Sequence, residues 1–288
     1  MRLSISHRTQ YFYTAPARSN INELRLSPEE NARQKPGAIE IQVEPVAELR
    51  EMRDLFGNLV HHFEVEERHE QLTIHSRAEV ETRGSLDLAM RAMTIPLKEF
   101  LVEDKESLFE FTTDSTFVGK NPETWREAID IHLSCEKTWG ALILGLSDSI
   151  FESCEYEEQT IHGMATSEEI QACKKGTCQD FSHLLISYCR ALGMPARYLS
   201  GYLYDPGLDT KTEADFIGSG ATHAWVEVHV PSIGWVGIDP TNRRWVDEHY
   251  VSVSSGRDYH DVAPVRGSLI GGGGDRSLEV DVMVKAVT

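Results

Sequence analysis

One cysteine in this sequence stands where a thiol could be activated. Thr177 is followed three residues later by Asp180, which is typical of a capping box and predicts a helix with Thr177 as N-cap and Cys178 in its first turn. A thiol there lies at the positive end of the helix dipole, beside backbone N–H groups without intrahelical partners, and this favours the thiolate. Asp180 acts in the opposite direction, because a nearby carboxylate disfavours a second negative charge. Cys178 is therefore a candidate nucleophile, and a small buried packing residue is the alternative.

The predicted helix leads directly into a strand. Apolar residues recur at helical spacing after the cysteine: Phe181, Leu184, Leu185, Tyr188, Cys189 and Leu192. Gly193 and Pro195 are typical of a helix end. The next stretch, ARYLSGYLY, has the composition of a strand. The chain is expected to pass from the cysteine through one helix into a sheet.

Two later strands carry a histidine and a carboxylate that could serve this cysteine. THAWVEVHV, from Thr222 to Val230, alternates strictly, and WVGID alternates again after a short turn. These strands predict a hairpin in which Asp239 lies within about one to three residues of the position opposite His223. His223 could then take the thiol proton, and Asp239 could hold the imidazole in the right tautomer. Taken singly, His223 can equally be a satisfied strand histidine, and Asp239 a turn carboxylate.

Several motifs in this order resemble the transglutaminase-like superfamily of papain-related thiol enzymes. They are GTCQDFSHLLISYCRALGMPARYLSGYL, THAWVEV, GWVGIDPTN and GRDYHDVAPVRG, between Gly176 and Gly267. HRTQYFYTAPARSNINELRLSP and DLFGN resemble the N-terminal domain of a bacterial branch whose members are often described as candidate cysteine proteases. The resemblance implies Cys178 as nucleophile, His223 as general base and acid, and Asp239 as the orienting carboxylate.

The resemblance also implies a fold. It is α+β, with an N-terminal antiparallel β-sandwich-like domain followed by a papain-like transglutaminase core, in which a central helix packs on an antiparallel sheet or barrel. Alternating strands up to about Val80 independently indicate an antiparallel N-terminal domain. Short, mixed patterns between Met90 and Gly119 indicate the junction. We expect an N-terminal β-domain at residues 1–100 and a catalytic core at residues 101–288.

The rest of the site is less determined by the residues. The backbone N–H of Cys178 is the expected oxyanion donor, and Gln179 or a tryptophan are open alternatives for a second donor. Trp225 and Trp235 are expected in the cleft or in the packing around it. GRDYHDVAP is interpreted as a structured loop near the rim of the site. Thiol chemistry of this kind needs no cofactor, and no run of residues resembles an EF-hand, so no metal is expected.

Composition excludes several classes of function. The 288 residues carry a formal net charge of −18, which argues against a nucleic-acid partner because phosphate binding needs clustered Lys and Arg. No apolar run approaches the roughly 20 residues that span a bilayer, so no membrane partner is expected. The N-terminus lacks the pattern of a signal peptide, and the five cysteines lack paired spacing. Reduced thiols and a cytoplasmic location are therefore expected.

Two functions from different classes remain open. The first is a thiol enzyme that acts on an amide bond of a peptide or protein substrate through a thioester, with hydrolysis favoured over transfer to an amine. The second is a peptide-binding or assembly module on the same fold, without turnover. The complete set of Cys178, His223 and Asp239 favours the enzyme.

Overall fold

A computed structural model describes residues 1–97, 105–157, 165–209, 216–273 and 276–287, which form an α+β fold. The helices are α1 Leu86–Ala92, α2 Lys105–Leu108, α3 Pro122–Ser134, α4 Trp139–Ser153, α5 Ser167–Cys173, α6 Cys178–Ala191, α7 Pro206–Asp209 and α8 Tyr259–Val262. The first strands are β1 Arg2–Leu24, β2 Gln34–Glu44, β3 Arg50–Arg53, β4 Leu59–Val65, β5 His69–Thr82, β6 Glu155–Tyr156 and β7 Lys175–Gly176. The remaining strands are β8 Ala196–Leu203, β9 Thr222–Val230, β10 Gly234–Asp239, β11 Arg244–Trp245, β12 Tyr250–Gly256, β13 Val265–Gly271 and β14 Arg276–Ala286.

The N-terminal strands form one antiparallel half-barrel around the long strand β1. β5 and β4 pair in succession along one edge of β1, and β14 and β13 pair in succession along the other. β2 then pairs with β5, and β3 with β4. Apolar side chains alternate inward along these strands, as their period of two predicts. The predicted antiparallel N-terminal domain is confirmed.

The half-barrel takes strands from both ends of the chain. β13 and β14 follow all the elements of the second sheet, yet their partner is β1. The predicted division of the chain at residue 100 stays a prediction, and the strands of this sheet come from both sides of it.

The second sheet is also antiparallel, with the order β11-β10-β9-β8-β12. The side chains of β9 alternate as predicted. Ala224, Val226, Val228 and Val230 lie in the same buried cluster as Leu184 and Leu185 of α6. Trp225 lies in a separate buried cluster with Tyr250 and other residues. The central helix therefore packs on one face of this sheet, as expected for the core.

The two sheets share an apolar cluster. Residues of the half-barrel in this cluster are Leu3, Ile5, Ala78, Val80, Val282 and Val284. Tyr202, Val251 and Val253 of the second sheet belong to it too, with Tyr204, which directly follows β8. Burial of this set favours a fixed arrangement of the two sheets, because apolar surface removed from water contributes roughly 25 cal/mol per Å².

A carboxylate ties the two sheets together within this arrangement. Glu227 of β9 is 1% exposed and pairs through Oε2 with Arg197 of β8 at 2.6 Å. Its Oε1 pairs with Arg33, which directly precedes β2. An unpaired buried charge is costly, so the two guanidinium groups stabilise the ionised form of Glu227 at this buried position.

Two carboxamides cover the edge strand β12. The side chain of Gln34 accepts from the backbone N–H of Ser252 at 2.9 Å and donates to the carbonyl of Ser252 at 2.7 Å. The side chain of Asn58 makes the same pair of bonds with Ser255, both at 2.8 Å. Each carboxamide thus satisfies backbone groups as a neighbouring strand would.

Helix starts agree with their sequence signals except at α5. Asn121 caps α3, and its side chain accepts from the N–H of Thr124 at 2.7 Å. The sequence predicts Ser167 as the cap of α5, whereas Thr166 is the N-cap and forms a capping box with Glu169. Both residues are suitable caps, and the glutamate three residues after Thr166 favours the earlier one. Among the described residues, no helix is long and apolar enough to cross a membrane.

Candidate active site

Cys178 is the first residue of α6, as predicted. Thr177 is the N-cap, and its backbone N–H and hydroxyl donate to Asp180 Oδ2 at 2.8 and 2.9 Å. Burial raises the pKa of the Asp180 carboxyl, which is 1% exposed. Gly176 is required beside it, since a Cβ at that position would lie 2.6 Å from Cβ of Asp180. The side chain of Cys178 is half-buried, so its thiol is within reach of solvent.

His223 and Asp239 meet in the interior of the protein. Nε2 of His223 lies 2.7 Å from Oδ2 of Asp239, and both side chains are buried. Ile238 pairs with Val226 across the hairpin, which puts Asp239 two residues from the position opposite His223. This offset lies within the range that the hairpin predicts.

Asp239 is surrounded by donors. Its Oδ2 accepts from Asn242 Nδ2 and from the hydroxyl of Tyr250, each at 2.8 Å, in addition to His223. Its Oδ1 accepts from the backbone N–H groups of Thr241 at 2.9 Å and Asn242 at 3.3 Å. Burial alone would raise the pKa of this carboxyl, but the charge of His223 and these hydrogen bonds lower it. Asp239 is therefore a carboxylate although it is fully buried.

The surroundings of His223 favour the charged form of its imidazole. Burial disfavours the imidazolium, but the charge and hydrogen bond of Asp239, together with Cys178, outweigh it and raise the pKa of His223 to about 10. Nε2 is occupied by Asp239, so Nδ1 is the nitrogen available to the thiol.

Three further residues of this region are not among the predicted site residues. Tyr250 reaches Asp239 from β12, and Asn242 reaches it from the turn after β10. Tyr198 of β8 is buried, which raises its pKa, and the nearby Cys178 acts in the same direction. Only Asn242, three residues after Asp239, could have been inferred from spacing, because Asn side chains often bond to turns of this length.

Gly218 packs against the imidazole of His223. Its φ is +85°, and a Cβ there would lie 2.5 Å from Nδ1 of His223. Gly218→Ala should displace the ring from the thiol and lower the rate of alkylation of Cys178 about tenfold, besides a backbone cost of about 1–2 kcal/mol. Gly57→Ala is the matched control, because Gly57 has a φ of +84° and open space around its Cβ position. Equal alkylation rates in the two variants, measured beside their thermal unfolding, would contradict contact with the ring.

The GRDYHDVAP segment forms the turn around α8. Asp258 caps this helix and accepts from the backbone N–H of Phe117 at 2.8 Å. The guanidinium of Arg257 pairs with Asp261, and the N–H of Tyr259 donates to Nε2 of His183 at 3.2 Å. These contacts agree with the interpretation of this segment as a structured loop.

The groups that could bind an oxyanion lie in the first turn of α6. The backbone N–H of Cys178 has no intrahelical partner at this position. Gln179 is half-buried beside it.

The two tryptophans expected in or near the cleft lie on β9 and β10. Trp225 is fully buried, with its ring centroid 6.2 Å from that of His223, and Trp235 lies under the guanidinium of Arg197. Within the part of the chain that the structure describes, no group of three or more His, Cys, Asp or Glu side chains is placed to hold a metal ion.

Two family models match the chain. Residues 3–81 match the bacterial transglutaminase-like N-terminal region, and residues 137–240 match the transglutaminase-like superfamily. An uncharacterized protein of Mycobacterium tuberculosis is 31% identical over 305 aligned positions, which cover 98% of this chain and 92% of that protein. An uncharacterized protein of Mycobacterium leprae is 29% identical, with 99% and 98% covered.

A solved structure shows the same fold. It is a protein of Cytophaga hutchinsonii named as a candidate cysteine protease, with a TM-score of 0.76 and 20% identity. The similarity covers 100% of this chain and 91% of that one. The predicted fold class, α+β with an N-terminal antiparallel β-domain and a transglutaminase-like core, is therefore confirmed.

Proposed function

Because this chain belongs to the transglutaminase-like superfamily, we propose that it is a thiol enzyme that acts on an amide bond of a peptide or protein substrate. Cys178 is the nucleophile, His223 the general acid and base, and Asp239 the carboxylate that orients the imidazole. The observation that supports this proposal is the buried hydrogen bond between Asp239 and Nε2 of His223. That bond leaves Nδ1 to the half-buried thiol at the helix start.

The first half of the reaction forms a thioester. The thiolate of Cys178 attacks the amide carbonyl, and the backbone N–H of Cys178 donates to the oxygen on which negative charge develops. The imidazolium of His223 then gives its proton to the departing nitrogen as the C–N bond breaks. Asp239 stays ionised throughout and stabilises the charged ring.

The second half of the reaction resolves the thioester. Neutral His223 takes a proton from water, the hydroxyl attacks the carbonyl, and the C–S bond breaks to release a carboxylic acid and the thiolate. An amine in place of water gives a new amide. We favour hydrolysis, and the cytoplasmic location likewise stays a prediction.

Alkylation tests the nucleophile without a known substrate. At pH 7, iodoacetamide should react with Cys178 at least about tenfold faster than with Cys135 or Cys154, because burial raises the pKa of those two thiols. The preference should disappear in His223→Ala. Mass spectrometry of tryptic peptides gives the rates. Cys178 and Cys189 share the peptide between Lys175 and Arg190, so fragment ions must assign the label.

A binding module predicts a different result. If Cys178 reacts no faster than Cys135 and Cys154, the thiol is not activated, and a peptide-binding or assembly role on this fold takes the place of the enzyme. If Cys178 is selective, incubation with a peptide library should give acyl adducts of Cys178 in the mass spectrum. Added amines distinguish the two outcomes of the thioester, since transfer consumes the amine and hydrolysis does not.

A further inference from the structure

We infer that Asn242 is a positioning residue that couples the turn at residues 216–220 to the Asp239–His223 pair; this inference rests on the proposed function. Asn242 Nδ2 donates to Asp239 Oδ2 at 2.8 Å and to the carbonyl of Ile217 at 3.1 Å. Its Oδ1 accepts from the backbone N–H of Ile217 at 2.9 Å. One carboxamide therefore bonds both the turn and the carboxylate.

The orientation of this carboxamide is determined by its partners. The N–H of Ile217 can only donate, so the oxygen of Asn242 must face it. The NH₂ group then faces two acceptors, the carbonyl of Ile217 and the Asp239 carboxylate. A flipped amide would set donor against donor at one position and acceptor against acceptor at the others. The three bonds thus require asparagine in this orientation.

The same turn also contacts the imidazole. Gly218 follows Ile217 and packs against Nδ1 of His223. On its other side the turn is held by Asp205, whose Oδ2 accepts from the N–H of Phe216 at 2.8 Å and the hydroxyl of Ser219 at 3.1 Å. These contacts form a closed cycle. Asp239 bonds to Asn242, Asn242 bonds to the turn, the turn packs against His223, and His223 bonds to Asp239. A displacement of the turn therefore acts on both members of the pair.

The electrostatic role of Asn242 is separate from this mechanical one. A hydrogen bond to a carboxylate favours the ionised form, and the bond from Asn242 contributes to the lowered pKa of Asp239. The other titratable or charged groups near the pair are Cys178 and Tyr250, with Arg244 and Asp247 beside Tyr250. Loss of the Asn242 bond should raise the pKa of Asp239, so that the carboxylate is neutralised at a higher pH.

Three variants of the whole chain test the inference. Asn242→Ala removes all three hydrogen bonds of the carboxamide, and Asn242→Asp puts a carboxylate oxygen against Oδ2 of Asp239. Ser219→Ala is the control, because it removes one hydrogen bond to Asp205 but keeps the bond from the Phe216 N–H and all the bonds of Asn242, so the turn stays in place. The measurement is the rate of alkylation of Cys178 by iodoacetamide from about pH 2.5 to pH 9, beside the thermal unfolding midpoint.

We expect the acid limb of the profile, the range in which the alkylation rate falls as the pH is lowered, to move to higher pH. The shift should be about one pH unit in Asn242→Ala and larger in Asn242→Asp, and Ser219→Ala should keep the wild-type limb. Lower unfolding midpoints with an unmoved acid limb would overturn the inference, because a residue with only a structural role changes stability without changing the titration of the pair. Failure of the proposed function looks different, since Cys178 of the wild-type chain would then show no selective alkylation.

Discussion

Asp239→Asn should lower amide turnover at pH 7 by about 10³- to 10⁴-fold. The five donors around the Asp239 carboxylate leave no position for an NH₂ group, so an asparagine there meets a donor in either orientation. Without the negative charge, burial lowers the pKa of His223, and the imidazolium that favours the thiolate is lost. Turnover is measured with peptides identified by acyl adducts on Cys178.

The stability of Asp239→Asn should depend on pH in a defined window. The pKa of Asp239 is lowered from its ordinary 3.8, so its stabilising contribution is present above that pH and is lost in acid. The pKa of His223 is raised from 6.5, so its contribution is fully present below pH 6.5 and is lost as the pH rises towards about 10. The difference in unfolding free energy between wild type and variant should therefore be largest between about pH 4 and 6.5.

A buried carboxylate elsewhere in the core is the control for this variant. Asp258 is 1% exposed and accepts from two backbone N–H groups, at Phe117 and His260. Asp258→Asn should destabilise the protein and keep turnover within about tenfold of wild type, because Asp258 makes no hydrogen bond to His223. Comparable losses of turnover in the two variants would show that loss of any buried carboxylate has this effect, and would contradict a specific role of Asp239 in orienting His223.

Glu227→Gln should lower the free energy of unfolding by about 3–5 kcal/mol. The substitution keeps the volume of the side chain but leaves Arg33 and Arg197, 18% and 25% exposed, without their anionic partner. Urea denaturation gives the free energy. Glu79→Gln is the control, since the Arg2–Glu79 pair is 60% and 44% exposed and should contribute at most about 1 kcal/mol. Equal effects of the two substitutions would contradict the role of burial.

The effect of Glu227→Gln should also fade in acid. The charges of Arg33 and Arg197 lower the pKa of Glu227 from its ordinary 4.5, although burial acts in the opposite direction. A lowered pKa stabilises the fold above the unfolded value of 4.5, and this contribution is lost as the pH falls through the folded value. Urea denaturation at several pH values above and below 4.5 should therefore show that the free energies of unfolding of wild type and variant approach each other on the acid side.

The start of the central helix could be predicted because its signals are local. Thr177 and Asp180 are three residues apart, and their hydrogen bonds form within one turn. The alternation of β9 is equally local, since a period of two needs no knowledge of the neighbouring strands. His223 and Asp239 could be expected on one side of the hairpin for the same reason.

Contacts that depend on the order of strands could not be predicted in this way. Tyr250 reaches Asp239 from β12, although β8 and β9 separate β12 from β10 in the sheet. The pairing of β13 and β14 with β1 joins segments more than 240 residues apart. Alternation indicates that these segments are strands, but it carries no information on which strands they join. The bond between Glu227 and Arg33 has the same origin.

The carboxamides of Gln34 and Asn58 have a consequence for the behaviour of the protein at high concentration. A strand with open backbone groups recruits copies of its own chain, and the half-barrel closes β12 to such recruitment. The protection lasts only while both sheets stay docked. Any step that separates the sheets, during synthesis or on heating, should expose these backbone groups of β12 and promote aggregation through this strand.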